Sequence, residues 1–233
     1  MDTIFDIIMN PFKAFNQLKT EEKFPVLAFI FLLIIVLVNL ILSVPVSGKV
    51  SEAMFLNMSM PENQMDMVVQ MMHNMRYLTV IGGLIGYAVM LFFYALILYV
   101  IALIFRTQLK YTKALRLIIY CFLVLVIGEL VNIFIVYLKG IDNIENMYDI
   151  MMTGANLLTT VEKAGVFLYM LLSYINPFQI WFVILLIIGV KVFTDSSWTK
   201  SSIICIIYWL IVTLFPVIST WSSQVLLANK GLI

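Results

Sequence analysis

Residues 26–46 read VLAFIFLLIIVLVNLILSVPV, which is 21 positions without a charged side chain. A bilayer core about 30 Å thick is crossed by about 20 mostly apolar helical residues, because only backbone that bonds internally is tolerated there. Val26 to Val46 therefore reads as a membrane-spanning helix. Outward from it, four more stretches meet the same criterion: Thr79 to Phe105, Leu117 to Leu138, Phe178 to Thr194 and Ser202 to Trp221. Composition agrees, with 63% hydrophobic and 12% charged residues against about 25% charged in a soluble domain. The expected fold is an all-α polytopic membrane helix bundle, a single domain over 1–233. It has five transmembrane helices, an N-terminal interfacial amphipathic helix (1–25) and two partly embedded outer segments, 47–78 and 139–177.

The net charge is only +1, which gives no electrostatic footprint for nucleic acid. Position matters more than the sum. Short loops rich in Lys and Arg stay cytoplasmic, and nine basic residues fall on the side of the N-terminus: Lys13, Lys19, Lys23, Arg106, Lys110, Lys113, Arg116, Lys191 and Lys200. Five fall on the other: Lys49, Arg76, Lys139, Lys163 and Lys230. The expected orientation is N-terminus cytoplasmic and C-terminus outside, with no cleavable signal peptide, since Asp2 and Asp6 replace a basic start and Pro11 with Lys13 interrupts the first apolar run.

Asn10 followed by Pro11 predicts a helix start, because Asn can cap and Pro at the first helical position loses no needed hydrogen bond. Phe12, Phe15 and Leu18 then share a face, as in a helix lying at the lipid boundary with lysines near anionic headgroups. The alternative is a docking surface for another protein. Asn176-Pro177 repeats the arrangement after a short apolar stretch, Val166 to Ile175, read as a partly embedded helix.

Segment 47–76 holds eight of the 15 methionines. Met65, Val68, Val69 and Met72 form one helical stripe, and Met67, Met71 and Met75 a second. Thioethers adapt to irregular apolar surfaces, so Met65, Met67, Met71, Met72 and Met75 are candidates for a partner surface. They also bind Cu(I), and the alternative reading is a copper site at Met71, Met72, His73 and Met75.

Glu129 is the only acid inside a span. Its cost at membrane depth, about 3 kcal/mol on insertion scales, predicts that it faces the bundle. Asn132 shares its helical face, and Asn39 in the first span and Gln179 in the fourth can reach the same interior at suitable depths. The cluster reads either as a polar interhelical clamp or as a proton or ion relay. Gly82, Gly83 and Gly86 include a Gly-x-x-x-Gly, used for packing within the bundle or for homodimerisation. No Gly-rich phosphate loop, Ser-His-Asp set or His and Cys metal spacing is present in the sequence, and Cys121 and Cys205 lie in apolar runs. The expectation is a protein that is not an enzyme and holds no cofactor.

Several stretches together resemble the bacterial branch of the Yip1-domain family. They are Asn10-Pro11-Phe12-Lys13-Ala14-Phe15, the glycine-bearing second span, the basic loop Arg106 to Arg116, and Asn176-Pro177-Phe178-Gln179-Ile180-Trp181 followed by Ile188-Gly189-Val190. The Asp-Leu-Tyr-Gly-Pro and Gly-Tyr-Gly-Phe-Pro runs of the eukaryotic branch are missing. The resemblance implies a non-catalytic inner-membrane accessory or scaffold protein, with ABC exporters of the MacAB type and their membrane-fusion adaptors as partners. Set against it are a small transporter or channel using Glu129, and a Cu(I)-handling protein.

Overall fold

A computed structural model describes residues 2–21, 23–57, 62–144 and 147–229, with side-chain surroundings described for these outside 2–4, 53–57, 62–74, 76–77 and 223–229. The described chain is all helical: α1 (Asp2–Met9), α2 (Pro11–Thr20), α3 (Val26–Asn57), α4 (Glu62–Ile104), α5 (Tyr111–Lys139), α6 (Val161–Ser173), α7 (Pro177–Thr194) and α8 (Trp198–Asn229). Two short 3-10 turns, Ile141–Asn143 and Ala155–Leu158, lie between α5 and α6. Five segments are long and apolar enough to cross a membrane: Val26–Glu52, Leu78–Ile104, Tyr111–Lys139, Pro177–Thr194 and Trp198–Ser222. The protein is a multi-pass membrane protein.

The helices run past the expected span ends. The first does not stop at Val46 but continues through Pro45 to Asn57. Proline removes one helical N–H and crowds the preceding turn, and polar side chains can re-satisfy carbonyls loosened in this way. The carbonyl left without its donor is that of Ile41, and next to it the Tyr137 hydroxyl donates to the Leu42 carbonyl at 2.9 Å. The second span is likewise the end of a 43-residue helix that starts at Glu62, so the described parts of 47–78, residues 47–57 and 62–78, continue α3 and α4. Within 139–177 the helix begins earlier than Val166, at Val161, with a break at Gly165, whose φ of +73° suits a residue without a Cβ. N-terminally there are two helices, and α1 precedes the expected one.

The chain divides into two compact units. One comprises Met1–Ile35, Gly86–Ile127 and Pro177–Leu214; the other comprises Val36–Ile85, Gly128–Asn176 and Phe215–Ile233. The core of the first is built on α5 and α7, with Leu117, Ile118, Leu185, Leu186 and Tyr208 fully buried. Phe122 lies between Tyr94 and Phe182, with ring centroids 5.2 and 5.5 Å away, and such pairs add about 0.5–1.5 kcal/mol beyond area burial. In the second unit Val46, Val136 and Ile144 are buried together, with Val50, Ile141, Ile150 and Met152 against them.

Candidate functional site

In the first unit the site is the seat of α2. The Asn10 side chain accepts from the Lys13 backbone N–H, and Pro11 opens the helix, which directs Ala14, Phe15 and Leu18 inward, where they are buried. Phe15 meets Phe193 edge-on, with centroids 6.0 Å apart, and Phe12 meets Trp198 at 5.5 Å. Gly189 makes the close approach possible: a Cβ there would lie 2.1 Å from Leu117 Cδ1 and 3.3 Å from Phe15 Cζ.

The C-terminal end of α2 is held by a residue counted only for its charge in the sequence. Arg116 is 3% exposed; its guanidinium donates to the Leu18 carbonyl at 2.7 Å and to the carbonyls of Glu21 and Lys23. A planar fork with five donors suits several acceptors at once. Around it, Lys19 Nζ lies 2.7 and 2.6 Å from the two Asp195 carboxylate oxygens, and Lys13 pairs with Asp6 at 2.9 Å. The Asp195 carboxyl is held below the usual range, first by the Lys19 hydrogen bond and charge, with Lys191 and Lys113 adding to them. Arg116 thus orders backbone rather than facing headgroups. Its position one residue ahead of the apolar run at Leu117 was the signal available in the sequence.

Pro177, Phe178 and Trp181, with Ile8, Val124 and Ile127, line an apolar cavity of about 260 Å³. The Asn176 side chain donates to the Ser173 carbonyl at 3.0 Å, in the turn that ends α6.

In the second unit two of the grouped polar residues pair. Asn39, 7% exposed, donates from Nδ2 to Glu129 Oε2 at 2.7 Å. Glu129 is exposed on the protein surface, and its carboxylate turns back to the buried Asn39, so the expected hydrogen bond between the two spans forms. Asn39 Oδ1 is buried without a hydrogen-bond partner. Asn132, expected beside Glu129, grips an outer loop instead: its Nδ2 donates to the Ile150 carbonyl at 2.7 Å, and its Oδ1 accepts from the Met152 N–H at 2.8 Å. Burial and the Glu129 charge both raise the Tyr174 hydroxyl above its usual range. Gln179 belongs to the other unit.

The glycines also divide. A Cβ on Gly83 would meet Leu40 Cδ2 at 3.0 Å, whereas Gly82 and Gly86 have nothing within 4 Å and are exposed. The side chains of Met65, Met67, Met71, Met72 and His73, which carry the partner-surface and copper readings, lie outside those described; Met75 is exposed. Among the described residues no group of three or more His, Cys, Asp or Glu is placed to hold a metal.

Five apolar spans and a short helix seated on α7 in the first unit define a small polytopic helical membrane protein. The chain matches the Yip1 domain over residues 5–220. It belongs to the Yip1 family, as the stretches at 10–15 and 176–190 led us to expect. No curated protein and no solved structure matches it.

Proposed function

We propose that this protein is a non-catalytic membrane scaffold that takes hold of a partner membrane protein on the face carrying Glu129. The observation that carries this reading is the exposure of that side chain within the span Tyr111–Lys139, about 15 Å along the helix from Lys139 at 1.5 Å per residue. Glu129 already accepts from Asn39, and an acid at membrane depth costs about 3 kcal/mol on insertion scales. A partner helix that supplies a donor offsets part of that cost through an interhelical hydrogen bond of about 0.6–2 kcal/mol. The exposed Gly82 and Gly86 add a place on α4 where a neighbouring backbone can come close.

The partner class we propose is an ABC exporter of the MacAB type with its membrane-fusion adaptor, on family resemblance. The proposed location is the bacterial inner membrane with the N-terminus cytoplasmic, supported by the basic residues on that side. Crosslinking in membranes at native expression tests the scaffold reading. A specific adduct is expected, reduced about threefold or more in Glu129→Leu, since about 0.6–2 kcal/mol is lost. A monomer under crosslinking, or an adduct indifferent to the substitution, overturns it. An adduct of twice the chain's mass identifies a second copy as the partner.

One observation favours a second reading, a small transporter. Buried Asn39 Oδ1 lacks a donor, and a protonated Glu129 would supply one while still accepting from Nδ2, so the pair is chemically suited to load and release a proton. Reconstituted, proton-coupled flux that falls to background in Glu129→Gln, with folding intact, supports this reading. Flux unchanged by the substitution removes it.

A further inference from the structure

We propose that Lys19, Lys191 and Trp198 form a binding site for the phosphodiester headgroup of an anionic phospholipid, at the turn joining α7 to α8. The location follows from the spans themselves: one ends at Thr194 and the next begins at Trp198, so residues 195–197 lie at the boundary between membrane and water. Trp198 is half exposed there, as befits an amphipathic ring at headgroup level. Lys191 places its ammonium over the Trp198 ring, 5.1 Å from the centroid, and Phe12 closes the other contact of that ring.

Charge decides the ligand. Lys19 reaches Asp195 directly, and Lys191 and Lys113 both act on the same carboxylate. Lys19 is paired with Asp195, and the Lys191 ammonium lies over the Trp198 ring rather than on a carboxylate, which leaves positive charge at the turn. A phosphodiester carries the complementary charge, and the exposed Trp198 and Phe12 rings offer apolar surface for the glycerol backbone and upper acyl chain. Those rings, which a free phosphate could not use, favour a lipid as the source of the phosphate. The site goes beyond the scaffold reading and does not depend on it, since it lies in the unit without Glu129.

The test uses the full chain in mild detergent, titrated with phosphatidylglycerol or phosphatidylcholine and read by native mass spectrometry of the retained lipid. Phosphatidylglycerol is expected to be retained in preference. Lys191→Gln is expected to weaken its retention about fivefold, from the attraction of one lysine to an anionic surface. Asp195→Asn is expected to tighten it by about the same factor, a gain that misfolding cannot produce, because Arg116 still holds α2. Equal retention of the two lipids, or weaker retention in Asp195→Asn, overturns the proposal. Displacement of phosphatidylglycerol by equimolar inorganic phosphate assigns the site to a free anion instead. Tighter binding of a polyglutamate peptide assigns the face to an acidic protein and likewise overturns the lipid reading.

Discussion

Replacing Arg116 by leucine is expected to release α2 from its seat. Three backbone carbonyls, those of Leu18, Glu21 and Lys23, accept from this one guanidinium, and the residue is almost fully buried. Leu18 is buried, whereas Glu21 and Lys23 are exposed; a buried acceptor stripped of its donor costs about 1–3 kcal/mol, so the loss is about 1–3 kcal/mol, most of it at the Leu18 carbonyl. Arg116→Lys is expected to recover only part of it, because an ammonium cannot span the three acceptors as a planar fork does. Thermal unfolding in detergent measures the loss. Protease cleavage between residues 16 and 24, rising in the leucine variant ahead of global unfolding, locates it. A melting point and cleavage pattern like those of the natural chain in Arg116→Leu would show that the guanidinium does not hold the helix.

Gly189→Leu is the second large effect. A Cβ alone would lie 2.1 Å from Leu117 Cδ1 and 3.1 Å from its Cγ; Leu117 is fully buried, as is Phe15, so neither can swing into open space. Overpacking of this kind costs about 1–3 kcal/mol and occasionally more, and the further leucine atoms place this case at the upper end. The same change should loosen α2, since Phe15 rests on the glycine. Leu117→Ala provides the control: alone it leaves a cavity and destabilises, but combined with Gly189→Leu it should restore part of the loss. That gives a coupling of about 1 kcal/mol or more for residues in contact. Strictly additive losses in the double variant would count against the packing account.

These two residues mark where sequence reading reached and where it stopped. Gly189 was singled out through a family-like stretch, but what it accommodates, Leu117 and Phe15, comes from positions 72 and 174 residues away. Arg116 was assigned to the basic side of the membrane because hydropathy registers a charge next to a span without registering which carbonyls surround it. Asn132 was grouped with Glu129 by helical spacing, and spacing is blind to a loop folding back, so its clamp on Ile150 and Met152 came only with the structure. The helix starts at Pro11 and Pro177 were legible, because a proline's effect on the first turn is local.

The sequence by itself determined that this is a helical membrane protein with five spans, since the cost of unpaired backbone in hydrocarbon allows long apolar segments few other forms. It also carried enough of the family pattern to place the chain among Yip1 proteins. Tertiary structure decided the rest. Whether Glu129 faces lipid or the bundle, which glycine is packed and which is open, and whether a cation serves the membrane surface or the fold all depend on side chains brought together from distant helices. In hydrocarbon the apolar faces of those helices are nearly interchangeable, so the few polar contacts and close approaches that select the packing leave little periodic trace in the sequence.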